Sequence, residues 1–321
     1  MQVTEEKHYV STSYSSGWER FYFGKNNIKF ANSNNSPGIG QFLSDMATKK
    51  FLFKSALMLA VTLSLIFAGL TECFAQKRDI QIIAHRGFWN VNGNWNGNTR
   101  TPQNSLASLK AADSIGVYGS EFDVNMTSDG GLVICHGPKI VSLADVQKET
   151  FETVRNEKLP NGESVPSLDE YLSLFKKLNV KPILEVKRHY LDKDGSLPDF
   201  DKIAKAIKKH RIDRKTLTII SFSLEVCKAA VKKFPKTMVQ YLGGEKTPEE
   251  LYELGIMGLD YHYSVIDKNP DWVERAHNLG MVVNVWTVDK TADIERMVKM
   301  GVDQITTNYP VRATKIVEEN K

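Results

Sequence analysis

From Asp79 onward, short apolar runs alternate with stretches in which apolar residues return every three or four positions. Ile80-Gln-Ile-Ile-Ala84 reads as a buried, β-branched strand. Thr101-Pro102 then predicts the start of a helix with Pro near its first position and Leu106, Leu109 and Ala112 on one face. Glu121-Phe-Asp-Val-Asn-Met126 alternates as a half-buried strand does, and a Ser128-Asp-Gly-Gly131 turn leads to Leu132-Val-Ile-Cys-His136 as its hairpin partner. Strand-like runs recur at Pro182 to Val186, Leu217 to Ser221, Met238 to Leu242, Gly258 to Tyr261, Val282 to Trp286 and Gln304 to Thr307. Between them lie amphipathic segments, among them Leu224 to Lys233, Pro270 to Leu279 and Thr291 to Met300. Gly280 and Gly301 follow two of these, where a C′ glycine belongs. Strand and helix in alternation imply a parallel sheet with helices outside. With the hairpin partner set aside, eight strand candidates predict an α/β fold that closes as a single (β/α)8 TIM barrel. No G-x-G-x-x-G follows the first strand, which excludes the dinucleotide-binding alternative, and no repeat or linker divides the region.

The pattern differs upstream. Residues 1–45 are rich in Ser, Asn, Tyr and Gly with no sustained period. Met46-Ala-Thr-Lys-Lys-Phe-Leu-Phe-Lys54, an apolar run from Ala56 to Leu70, and Thr71-Glu-Cys-Phe-Ala75-Gln76 then supply the three regions of a secretory signal peptide. The apolar run is shorter than the roughly 20 residues needed to span a bilayer, so an N-terminal membrane anchor is the lesser alternative. Glu72 before Cys73 argues against a lipoprotein, and cleavage is expected after Ala75. The expected organisation is an extension over residues 1–45, either disordered or upstream of a true start at Met46, a signal peptide over 46–75 and a barrel domain over 76–321. The protein is therefore expected to be exported, periplasmic or secreted, touching the membrane only through an uncleaved signal segment.

Composition narrows the field only a little. A chain of 321 residues that is 41% hydrophobic and 25% charged is globular and long enough for a barrel of about 250 residues. The net charge of +4 reads as a solvated exterior, because no Lys/Arg block is long or aromatic-interleaved enough for a nucleic-acid surface. Cys73, Cys135 and Cys227 are too few for a disulfide scaffold and show no zinc spacing.

Reactive groups in a barrel sit at the C-terminal ends of the strands. His85 and Arg86 end the first, Glu121 and Asp123 lie on the second, His136 ends the hairpin, and Glu185 and Lys187 lie on the next strand. Glu121 and Asp123, two apart, project to one face, and Glu185 has the same parity in its strand. Three converging carboxylates repel one another unless a cation sits among them, and hard oxygen ligands suit Ca2+ or Mg2+ better than zinc. His85 and His136 flank the cluster as a general acid and base pair. Arg86 and Lys187 add fixed positive charge for phosphate oxygens. Such a set fits phosphoryl-ester cleavage better than sugar or acyl chemistry, and no G-x-S-x-G elbow is present. Trp286 is expected in the pocket wall. Trp89 or Trp95, in the segment Phe88 to Asn98, either caps a substrate head group or lies on a surface loop. Cys135 and Cys227 read as structural, and His189 and His262 as bystanders.

Ile83-Ala-His85-Arg86-Gly87, Thr101-Pro-Gln-Asn-Ser105, Glu121-Phe-Asp123-Val, Ser128-Asp-Gly with His136, Leu184-Glu185-Val-Lys187, Val285-Trp286-Thr-Val and Ile305-Thr-Thr-Asn-Tyr-Pro310 occur in that order. Together they resemble the signature of glycerophosphodiester phosphodiesterases over almost all of the expected mature chain. The resemblance implies a TIM barrel with one Ca2+ or Mg2+ on Glu121, Asp123 and Glu185, and His85 and His136 in acid/base roles. It further implies phosphate binding by Arg86 and Lys187, and small glycerophosphodiesters cut to glycerol 3-phosphate and an alcohol. The chain departs from the pattern at Gln103, where a Glu is usual, at Gly137, where Asp is common, and at Asn308, where Asp is expected. An exported phosphodiesterase acting on an intact phospholipid or a phosphate-containing glycan is the alternative reading, and a non-catalytic ligand-binding barrel a lesser one.

Overall fold

A computed structural model describes residues 58, 79–89, 101–187 and 198–320. The expected extension and, apart from Met58, the expected signal segment lie outside the described residues, as do Trp95 and His189. The strands are β1 (Gln81–Ala84), β2 (Gly119–Met126), β3 (Leu132–Ile134), β4 (Lys181–Val186), β5 (Thr218–Ser221), β6 (Met238–Tyr241), β7 (Gly258–His262), β8 (Val282–Trp286) and β9 (Gln304–Thr307). The helices are α1 (Leu106–Ser114), α2 (Phe151–Asn156), α3 (Leu168–Phe175), α4 (Pro198–Lys209), α5 (Leu224–Lys233), α6 (Pro248–Glu253), α7 (Tyr263–Lys268), α8 (Asp271–Asn278), α9 (Thr291–Met300) and α10 (Pro310–Glu319). Among the described residues no helix is long and apolar enough to cross a membrane.

Eight strands pair in parallel in the order β1-β9-β8-β7-β6-β5-β4-β2, and β1 pairs with β2 to close the ring. This is the (β/α)8 barrel that the periodicity predicts. β3 stands outside the ring, antiparallel to β2, as the expected hairpin partner. Outward residues such as Phe122, Val124, Leu184 and Leu259 join the helices in one apolar layer. Phe122 stacks on Tyr171 and Phe175 of α3 with ring centroids 4.8 and 5.2 Å apart. That outward set leaves the odd-numbered residues of β2, Glu121 and Asp123, facing the barrel axis.

The interior is divided. Ile83, Ile183, Ile220 and Leu242 fill one part with apolar side chains. Elsewhere Gln240 Nε2 donates to Gln304 Oε1 (2.9 Å) and Gln304 Nε2 to Gln81 Oε1 (2.8 Å). β6 and β9 are not neighbours, so the first of these bonds crosses the inside of the ring. Gly258 makes room for it, since a Cβ there would lie 2.3 Å from Gln240 Cγ.

The first barrel helix begins later than its sequence suggests. Thr101 and Pro102 precede it, and Ser105 is its N-cap, in a reciprocal capping pair with Ser108. Asn104, at φ +57°, breaks the helical path just before the cap.

Candidate active site

Sequence placed the reactive residues on strand ends, and the barrel brings them to one mouth. Asp123 and Glu185 are register partners on β2 and β4, and Glu121 lies one turn of the pleat below Asp123. One carboxylate oxygen from each of Glu121, Asp123 and Glu185 lies within 4.8 Å of the other two, and all three residues are buried. Glu121 Oε2 accepts from the Arg86 backbone N–H at 2.8 Å, while the buried Oε1 has no donor. The side chain that precedes the cap of α1 holds the third carboxylate. Asn104 Nδ2 donates to Asp123 Oδ2 (2.8 Å), and its Oδ1 accepts from the Asp123 backbone N–H (3.2 Å). A helix running from Thr101 would have turned this amide away from β2.

The two expected cations are present and lean on the carboxylates. Lys187 Nζ lies 2.7 Å from Asp123 Oδ1 and 2.5 Å from Glu185 Oε1. Arg86, at φ +58°, sets its Nε 3.5 Å from Asp123 Oδ2, and its Nη1 donates to Gln103 Oε1 at 2.8 Å. The departure from Glu to Gln at this position therefore keeps the acceptor that orients Arg86 and removes only its charge. Gly137, the second departure, has φ +55°, and a Cβ there would stand 2.9 Å from Asn125 Nδ2.

Charge is unevenly shared in this cluster. Burial, then the neighbouring charges of Asp123 and Glu185, hold the Glu121 carboxyl well above the usual carboxylate range. Burial and Asp123 push Glu185 up to about 7. Burial acts on Asp123 in the same direction, but Lys187 and Arg86 outweigh it and hold that carboxyl low. Two frustrated carboxyls beside a third that stays ionised, with a donorless oxygen between them, form a set that fits a divalent cation. The all-oxygen ligands are the kind that Ca2+ and Mg2+ prefer. Metal uptake at such a site displaces protons.

His85 ends β1 at the same mouth. Its Nδ1 is 2.8 Å from Asn308 Oδ1, which also receives the Trp89 indole N–H at 3.1 Å. Asn308 Nδ2 donates to Asp289 Oδ2 (2.8 Å), and the Asn308 backbone N–H donates to Asp289 Oδ1 (2.9 Å). Asp289 thus fixes which end of the amide is oxygen, and the indole can only donate, so His85 Nδ1 carries the proton and Nε2 is left with its lone pair. Burial, then the Arg86 charge, pushes the His85 pKa down to about 4. His136, at the rim beyond β3, keeps an exposed edge. Partial burial and the Lys187 charge push it down to about 4 as well.

Trp286 ends β8 half-buried, its indole N–H donating to Asp260 O at 2.8 Å. Phe222, half exposed, meets its ring edge-on at 5.4 Å, and His262 does the same from the other strand end. His262, expected as a bystander, caps α7 through Ser264. Cys135 and Cys227 are buried in packing. Sequence reasoning assigned no role to Asn104, Asp289, Asn308 or Phe222. Each lies in or beside a segment already singled out, yet its task depends on a partner 18 or more residues away.

Two predictions test this framework. A Cβ on Gly87, at φ +79°, would stand 2.5 to 2.8 Å from Ser108 of α1. Gly87→Ala is expected to cost about 3 kcal/mol, read as a lower denaturant midpoint, through left-handed strain and overlap combined. Asn308→Leu keeps the size of the side chain but removes the acceptor for His85. It is expected to lower kcat about 100-fold with little change in KM, whereas Asn308→Asp retains most of the activity. Equal rates for the leucine and aspartate variants in steady-state assays would show that the acceptor does not matter.

The Glycerophosphoryl diester phosphodiesterase family pattern matches residues 85–312. A crystal structure of a glycerophosphodiester phosphodiesterase from Parabacteroides distasonis is similar at 40% identity and TM-score 0.69, covering 76% of this chain and 99% of that one. A glycerophosphodiester phosphodiesterase from Caldanaerobacter subterraneus subsp. tengcongensis is 28% identical over 252 residues, 74% of this chain and 98% of the relative. An Oleispira antarctica phosphodiesterase, solved in complex with the product sn-glycerol-3-phosphate, shares the fold at 22% identity and TM-score 0.63. That match covers 74% of this chain and 96% of the other.

Proposed function

The chain belongs to the glycerophosphoryl diester phosphodiesterase family of phosphoric diester hydrolases, and on that premise we propose a metal-assisted hydrolysis of small glycerophosphodiesters to glycerol 3-phosphate and an alcohol. The observation that carries this reading is the buried triad Glu121, Asp123 and Glu185 with Lys187, Arg86 and a tautomer-held His85 around it. The Oleispira antarctica relative's product complex supports the choice of product.

The triad would hold one divalent cation, Ca2+ or Mg2+, which neutralises charge building on the phosphoryl oxygens. Arg86 and Lys187 bind the non-bridging oxygens of the diester. His85 Nε2, bare because Nδ1 is committed to Asn308, takes the proton from the attacking water, or from the neighbouring glycerol hydroxyl, in which case water opens the resulting cyclic phosphate to glycerol 3-phosphate in a second displacement. The phosphorus–oxygen bond to the alcohol breaks, and His136 delivers a proton to the departing alkoxide. The bound anionic diester offsets Lys187 and lets His136 carry that proton. Trp286 and Phe222 wall the side of the mouth that receives the alcohol.

A coupled assay for glycerol 3-phosphate tests the reading, with glycerophosphocholine and glycerophosphoethanolamine as substrates. Activity is expected to vanish on chelation and return with Ca2+ or Mg2+, which also names the ion. Folded protein that ignores both small diesters with either ion, yet cleaves an intact phospholipid or a phosphate-bearing glycan, would replace this reading by that one.

A further inference from the structure

Residues 198–236 carry eleven Lys and Arg against four Asp and Glu, a net +7 in a chain whose total is +4. All eleven are exposed: Lys202, Lys205, Lys208 and Lys209 on α4, Arg211, Arg214 and Lys215 after it, Lys228, Lys232 and Lys233 on α5, and Lys236 beyond. Lys209 pairs with Asp169 (2.8 Å) and Lys233 with Asp201 (2.6 Å), while Lys202 donates to Gly130 O in the turn after β2 and so lies toward the mouth, apart from the other cations. Among the described residues the other eight have no carboxylate at ion-pair distance.

The topology says where this charge is concentrated. Residues 210–217 lead from α4 into the start of β5, and residues 234–237 from α5 into the start of β6. Thr237 Oγ1 donates to Arg214 O at 3.1 Å, so the two connections touch. Strand starts lie at the end of a parallel barrel opposite the mouth that holds Glu185 and Trp286. Exposed Lys176 and Lys177, in the connection into β4, extend the same end. Phe222, the one large exposed apolar residue in the stretch, belongs to the mouth end and not to this face.

We propose that this basic end docks the enzyme on an anionic phospholipid bilayer, with the mouth turned to the solvent. Nine of the eleven cations are lysines, compact point charges suited to a diffuse layer of headgroups rather than to the bidentate recognition arginine provides. Within residues 198–236 Phe222 is the one large apolar or aromatic side chain that is exposed among the described residues, and it lies at the mouth end, so this stretch offers neither a stacking platform for bases nor a wedge for acyl chains. The attachment is therefore electrostatic and reversible by salt. A mouth facing away from the bilayer cannot reach an ester within it but receives deacylated diesters from solution.

The test is vesicle co-sedimentation of the full chain beside the variant Lys208→Gln, Arg214→Gln, Lys215→Gln, Lys232→Gln and Lys236→Gln. Both carry the apolar run Ala56 to Leu70, so its contribution cancels in the comparison. On vesicles with about 30% phosphatidylglycerol at about 50 mM salt, the wild type is expected to partition at least about ten-fold more strongly than the variant. The difference between the two proteins is expected to vanish on pure phosphatidylcholine and at high salt, and the wild type to hydrolyse soluble diester equally well free or bound. Equal partition of the two proteins on anionic vesicles, the same difference between them on both lipids, or a difference seen on duplex DNA but not on vesicles would each overturn the proposal. Turnover of the soluble diester, followed in the same samples, separates failure of docking from failure of the assigned reaction.

Discussion

His85→Gln should lower kcat by about 1,000-fold at saturating metal while leaving substrate binding and the thermal midpoint nearly unchanged. The side chain reaches the mouth from the end of β1 and, among the described residues, its side-chain hydrogen bond is to Asn308, so little packing is lost with the ring. What is lost is the proton acceptor at Nε2. The same geometry predicts the pH profile. A pKa pushed down from its ordinary value to about 4 disfavours the charged imidazolium, so the neutral base persists well below pH 6.5. The acid limb of kcat/KM is therefore expected between about pH 4 and 5, and a bound cation moves it lower still. Near wild-type turnover in His85→Gln, or an acid limb at an unperturbed histidine value, would remove His85 from the reaction.

Asp123→Asn is expected to reduce kcat/KM by about 1,000-fold and to weaken direct metal binding, read by calorimetric titration, by at least about 100-fold. Asp123 is the one carboxyl of the triad that Lys187 and Arg86 hold firmly ionised, so its loss removes the most negative charge from the cluster. The asparagine keeps an oxygen for Asn104 and turns its NH2 toward Lys187, which must shift away but keeps Glu185 as a partner. No buried cation is stranded, and the cost in stability should stay near 1 to 2 kcal/mol rather than the larger loss typical of a broken buried pair. A metal titration unchanged by the substitution would place the cation elsewhere.

Much of this protein was legible in the order of its residues. Alternating apolar runs and amphipathic helices imply the barrel, because one buried sheet covered by helices is the way such a pattern hides its apolar faces. The i, i+2 spacing of Glu121 and Asp123, with Glu185 in phase, placed three carboxylates inside the ring. Strand parity alone requires that. His85, Arg86, Lys187 and Trp286 fell at strand ends that a parallel barrel sends to one mouth, and His136 returns to the same place on the antiparallel hairpin strand beside Asp123. One local reading failed. Thr101-Pro102 has the composition of a helix start, but the backbone of Asn104 turns left-handed before the cap at Ser105, and its amide braces Asp123.

The rest was decided by contacts that no local pattern encodes. The proton on His85 Nδ1 follows from Asn308, 223 positions away, and Asn308 is oriented in turn by Asp289. Gln103 keeps its hold on Arg86 because an amide oxygen accepts the same hydrogen bond that a carboxylate would. The cations of α4 and α5 read along the chain as an ordinary solvated surface. They become one basic end only when the ring brings the entrances of β5 and β6 together. Periodicity determines which side of a strand or helix is buried, a property of each element alone. Tautomers, shared acceptors and summed surface charge depend on distances between elements, and those are set only when the barrel closes.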